Sequence, residues 1–96
     1  VIGVLSLDLR LPASRSLKDK RAAIRPVLDG ARRRFGASAG EVGCQDLRQR
    51  ASLSFAVVGS SEAVVRETLA ALERFVWSFP ELEVLEASRS FVEEEA

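Results

Sequence analysis

The chain contains no histidine, tyrosine, asparagine or methionine, and only one cysteine. Each gap removes a class of chemistry. Without histidine there is no Ser-His or Cys-His nucleophile pair, no imidazole metal ligand and no side chain that ordinarily titrates near neutrality. A lone cysteine, Cys44, excludes an internal disulfide and falls short of any structural zinc site. With no imidazole to activate it and no second thiol to resolve it, Cys44 reads as an inert, partly buried residue packing as a small hydrophobe; a reactive thiol is the alternative. No apolar run approaches the ~20 residues that span a bilayer, and the start at Val1 lacks the basic flank and cleavage signal of a secretory peptide. The expectation is a cytoplasmic protein that is not an enzyme and uses no cofactor, metal or membrane.

What is present suits one ordinary core. The 96 residues are 47% apolar, enough for a single domain covering residues 1–96. Net charge is zero, but it is unevenly distributed. Residues 1–50 hold 11 Lys/Arg against 5 Asp/Glu, whereas residues 51–96 hold 3 against 9. Twelve of the 14 basic residues are arginine, whose planar fork suits phosphate and carboxylate.

Hydrophobic periodicity gives the element order. Leu5, Leu7, Leu9 and Leu11 alternate with Ser6, Asp8 and Arg10, the period of a half-buried strand that Pro12 ends. Ser16 followed by Asp19 is close to a capping box and starts a helix. Its apolar stripe is Leu17, Ile24, Val27, Leu28, Ala31 and Phe35, and Gly36 is the expected stop. Pro26 removes one helical amide and crowds the preceding turn, which predicts a kink or a break into two shorter helices. The span from Ala37 to Gln45 leaves room for a weak edge strand, and Ala51, Leu53, Phe55 and Val57 form the inward face of a central one. Ser60 and Ser61 can cap a second helix with Val65, Leu69, Leu72, Val76 and Phe79 on its buried side, closed by Pro80. A last strand runs from Leu82 to Phe91, before an acidic tail of Glu93, Glu94 and Glu95. The order βαββαβ predicts a ferredoxin-like α+β sandwich, a four-stranded antiparallel sheet with both helices on one face.

Three stretches carry a resemblance: Leu11-Pro12-Ala13-Ser14-Arg15-Ser16-Leu17-Lys18-Asp19-Lys20-Arg21, then Gln45-Asp46-Leu47-Arg48-Gln49-Arg50-Ala51, then Leu82-Glu83-Val84-Leu85. Together they are similar to the YlxP-like family of bacterial proteins of unknown function, over nearly the whole chain. The resemblance implies the same ferredoxin-like fold. Through the family's usual gene neighbourhood among translation and ribosome-maturation factors, it also implies a ribosome-associated role. Gly43, Cys44 and Arg48 stand where that family more often carries an acidic residue, a histidine and a tryptophan.

Two surfaces emerge as candidates. The first helix presents Lys18, Arg21, Arg25 and Arg32 at helical spacing, with Arg15, Lys20, Arg33 and Arg34 at its ends. Arg15, Lys18, Arg21, Arg25 and Arg32 are the candidate nucleic-acid contacts, for RNA or the ribosome, because clustered cations displace counterions from a phosphate backbone. The alternative is a solvated face paired with Asp19, Asp29 and the acidic second half. The other surface is the open side of the sheet. If the first and third strands are antiparallel neighbours, they bring together Ile2, Val4, Ala56 and Val58 there, an apolar patch expected to form a homodimer or partner contact; the alternative is a small tolerated patch beside Ser6, Asp8 and Arg10. Trp77 lies roughly 120° from its helix's buried stripe by the helical step; it is either an interface anchor or folded over the helix end near Pro80. Gln45, Asp46, Gln49 and Arg50 either hold a turn or bind a ligand. Gly40-Glu41-Val42-Gly43 mimics a GXXG clamp, but it sits in an expected strand and carries an acid.

Overall fold

The strict alternation of β1 (Ile2–Arg10) buries Gly3, Leu5, Leu7 and Leu9 and turns Ile2, Val4, Ser6 and Asp8 to the other side. The computed structural model of the protein describes residues 1–93, so Glu94 and Glu95 of the acidic tail lie outside the described residues. After β1 come α1 (Leu17–Phe35), β2 (Ser38–Gly43), β3 (Arg50–Val58), α2 (Glu62–Trp77) and β4 (Glu83–Val92). The sheet order is β2-β3-β1-β4, every neighbouring pair is antiparallel, and the two helices cover one face. This is the ferredoxin-like α+β arrangement.

Both helices begin as their sequences dictate. Ser16 Oγ accepts from the Asp19 amide while Asp19 Oδ2 accepts from the Arg15 amide, each 3.0 Å, so two orphan donors are satisfied at the start of α1. Ser61 Oγ does the same for the Val64 amide of α2. Gly36 ends α1 in the left-handed region at φ 64°, where a residue without Cβ carries no steric penalty. Pro26 corrects the expectation of two shorter helices, since α1 runs unbroken for 19 residues through it. Pro26 and Ala22, whose carbonyl loses its helical donor, are both exposed, so water can take the place of the missing amide.

The core is the layer between sheet and helices. Leu5, Leu7, Leu9, Leu53 and Phe55 from the central strands meet Ile24, Val27 and Ala31 of α1 and Val65, Leu69, Leu72 and Val76 of α2. The helices approach closely where Gly30 faces Phe75, and a β-carbon at Gly30 would run into that ring. The helix-side surface of β4 is covered by reaching side chains: the Arg66 guanidinium lies 4.3 Å from the Phe91 ring centre, and Arg89 pairs with Glu73 at 2.9 Å.

Candidate nucleic-acid interface

Lys18, Arg21, Arg25 and Arg32 fall within roughly 60° of one another around α1, by the 100° helical step. All four are exposed, as is Arg15 at the N-terminal end. Arg32 is partly occupied, pairing with Asp29 at 3.2 Å and donating to the Ala39 carbonyl of edge strand β2 at 2.7 Å. Arg21, Arg25 and Arg32 line a hollow of about 280 Å³ whose wall also includes Ile24, Leu28 and the acidic residues Asp29 and Glu41.

These cations are not neutralised by the acidic half of the chain. Among the described residues, the side-chain charges of Arg15, Lys18, Arg21 and Arg25 form no ion pair within 4.0 Å; the Asp19 carboxylate beside Arg15 accepts from its backbone amide. Asp19 is engaged at the helix cap, Glu62 pairs with Arg66 and Glu73 with Arg89. Arg10–Glu83, at 4.0 Å, is the ion pair that joins the two halves among the described residues.

Lys20 behaves differently from the other cations of α1 and corrects the expectation that it belongs to the basic surface. Its side chain is 1% exposed. Nζ donates to the carbonyls of Cys44 at 2.8 Å, Arg50 at 3.1 Å and Gln45 at 3.2 Å. The Glu41 carboxylate lies 2.7 Å away and completes the shell as an ion pair. A buried charge is tolerated only with such compensation. A sequence signal existed for this: Lys20, Ile24, Val27 and Ala31 step by four, three and four, so the lysine sits on the apolar stripe.

The node ties two family-like stretches together at one end of the sheet. Lys20 grips the loop between β2 and β3. Within that loop Gln49 Nε2 donates to the carbonyls of Ser14 (3.1 Å) and Pro12 (3.3 Å), the Leu11 amide donates to the Gln49 carbonyl (2.9 Å), and Arg48 donates to the Arg15 carbonyl (3.4 Å). Gln45 donates to the Glu41 carbonyl, so both glutamines hold the turn. Asp46, Leu47, Arg48 and Arg50 point their surfaces to solvent, with Leu47 52% exposed. Cys44 is half-buried and adopts φ 59°, a left-handed conformation that costs a residue with a β-carbon about 1–2 kcal/mol. Its carbonyl also accepts the Leu47 amide at 3.0 Å.

The second candidate surface is assembled by register. Ile2 lies opposite Val58 on one side and Val92 on the other, and Val4 opposite Ala56. Val58 is 80% exposed. Toward the other end the same face becomes polar: the Ser6 and Ser54 hydroxyls are 3.1 Å apart and Ser52 donates to Asp8 at 2.6 Å. Trp77 is 58% exposed and is the last residue of α2, on the opposite side of the sheet from the other four. The five interface candidates therefore do not form one patch. Among the described residues no three His, Cys, Asp or Glu side chains are grouped to hold a metal, and no helix is long and apolar enough to cross a membrane.

Fold and surface together define a small ferredoxin-like α+β protein with a cationic helix face beside a braced loop. The chain belongs to the family described as protein of unknown function (DUF503), whose pattern matches residues 2–89. It is 35% identical over 83 residues to the uncharacterized protein YlxP of Bacillus subtilis (strain 168), covering 86% of this chain and 90% of that one. A solved structure, the structural-genomics protein YJCS, superposes with a TM-score of 0.64 over 97% of this chain and 100% of its own. At 12% identity that likeness concerns the fold alone.

Proposed function

We propose that this protein is a binding factor rather than an enzyme, and that it contacts the phosphate backbone of structured RNA, as on a ribosomal particle, through α1. One observation carries the reading: the side chains of Arg15, just before α1, and of Lys18, Arg21 and Arg25 along one side of it are exposed and form no ion pair within 4.0 Å among the described residues. Free guanidinium groups at fixed spacing are what backbone contact requires, and sheet-face stacking has no support because Phe55 is buried in the core. The test is binding to purified ribosomal subunits and to a short RNA hairpin at two salt concentrations. Arg21→Glu and Arg25→Glu weaken binding on this reading, and absence of salt-sensitive binding by the wild type removes it.

A second reading, homodimerisation through the open sheet face, is favoured by the adjacent exposure of Val58 and Val92 on either side of Ile2. Exposed apolar side chains gathered in one place are the usual mark of an association surface. A dimer that persists on dilution and is weakened by Val4→Asp or Val58→Asp supports it; a monomer at high concentration by light scattering ends it.

A further inference from the structure

We infer that the loop between β2 and β3 is a prebuilt extension of the RNA-contacting surface and that Lys20 is its positioning residue, a proposal that rests on the reading of α1 given above. The loop has six residues, 44–49, between the two strands. Lys20 Nζ holds its first two carbonyls, of Cys44 and Gln45, and also the carbonyl of Arg50 just beyond it, so both ends are fixed from one buried point. Gln49 adds two bonds to the β1–α1 connection. The segment between these anchors is held in one shape while its side chains remain in solvent.

Arg48 is the side chain that this bracing places usefully. Its guanidinium reaches the Arg15 carbonyl, so it stands at the N-terminal end of the row Arg15, Lys18, Arg21, Arg25. That bond, at 3.4 Å, engages one of five N–H donors and leaves the remainder for phosphate oxygens. A loop already ordered gives up little further entropy on binding, which is the advantage of bracing it. Helix and loop then present cations at set distances, suited to the shape of a folded RNA backbone rather than to base edges.

The test is binding of a short RNA hairpin and of purified ribosomal subunits across a salt series, for the wild type, Arg48→Ala, Lys20→Met and the double variant. Each cation withdrawn from a phosphate makes the slope of log affinity against log salt shallower by about 0.7–0.9. Arg48→Ala is expected to reduce the slope by that single increment. Lys20→Met is expected to reduce it by a similar amount although its ammonium is buried, with faster amide exchange at residues 44–50. The double variant is expected to bind no worse than the weaker single one, because Lys20 acts through the loop. If Arg25→Glu weakens binding but Arg48→Ala changes neither affinity nor slope, the inference is overturned while the reading of α1 stands. Additive effects of the two substitutions overturn the positioning role. A wild type that does not bind overturns both. Should Lys20→Met not fold, Arg48→Ala decides alone.

Discussion

Lys20 and Arg21 are consecutive on the same helix and occupy opposite environments. Lys20 is enclosed by four oxygen atoms, three from backbone carbonyls and one from Glu41. Arg21 is exposed, with no carboxylate within 4.0 Å among the described residues. The difference separates cations the fold consumes from cations it leaves available. The inner one closes the β2–β3 loop onto α1; of the outer ones, Arg32 pairs with Asp29 and Arg34 lies over the Phe75 ring, while Lys18, Arg21 and Arg25 form no ion pair among the described residues.

The comparison breaks most readily at Lys20. Lys20→Met strips the charge from Glu41 and the donors from three carbonyls, and is expected to cost about 3–5 kcal/mol in urea unfolding. A cost below about 1 kcal/mol would mean that the node is not structural. Next on the inner side is Gly30→Leu, which drives a side chain into Phe75 and is expected to cost about 1–3 kcal/mol in the same assay. Cys44→Gly should raise stability by about 0.5–1 kcal/mol, since glycine accepts φ 59° but has more freedom to lose on folding. An unchanged urea midpoint would show that the loop does not strain that residue. Smallest of all, Arg21→Glu and Arg25→Glu should shift stability by no more than about 0.5 kcal/mol while weakening RNA binding, which sets the outer side apart.

Much of the fold is legible in the sequence because its patterns are clean. The alternation around Leu5, Leu7 and Leu9 and around Leu53, Phe55 and Val57, the Ser16 and Ser61 caps and the spacing of Val65, Leu69, Leu72 and Val76 each match the elements observed. The apolar patch at Ile2, Val4, Ala56 and Val58 follows from antiparallel pairing alone. Two expectations are revised for local reasons: the break of α1 at Pro26, one of the two outcomes foreseen there, and the grouping of Lys20 with the surface cations. The missing amide of Pro26 would break the helix if the orphaned Ala22 carbonyl were dry, but that turn faces water. Charge alone groups Lys20 with the surface cations, although its spacing puts it on the buried stripe. Its partners are invisible in sequence because they are backbone carbonyls 24 to 30 residues away, brought near only by the sheet order. Periodicity places Trp77 on its helix but not relative to a patch on the other side of the sheet.

The most direct test of the division between inner and outer cations is the salt dependence of RNA-hairpin binding by the wild type and by the Arg21→Glu, Arg25→Glu double variant. Wild-type affinity is expected to fall steeply with salt and the double variant to show a slope shallower by roughly 1.4–1.8, the equivalent of two phosphates, with unfolding nearly unchanged. Equal slopes for the two proteins, or no binding by the wild type at low salt, would contradict that division.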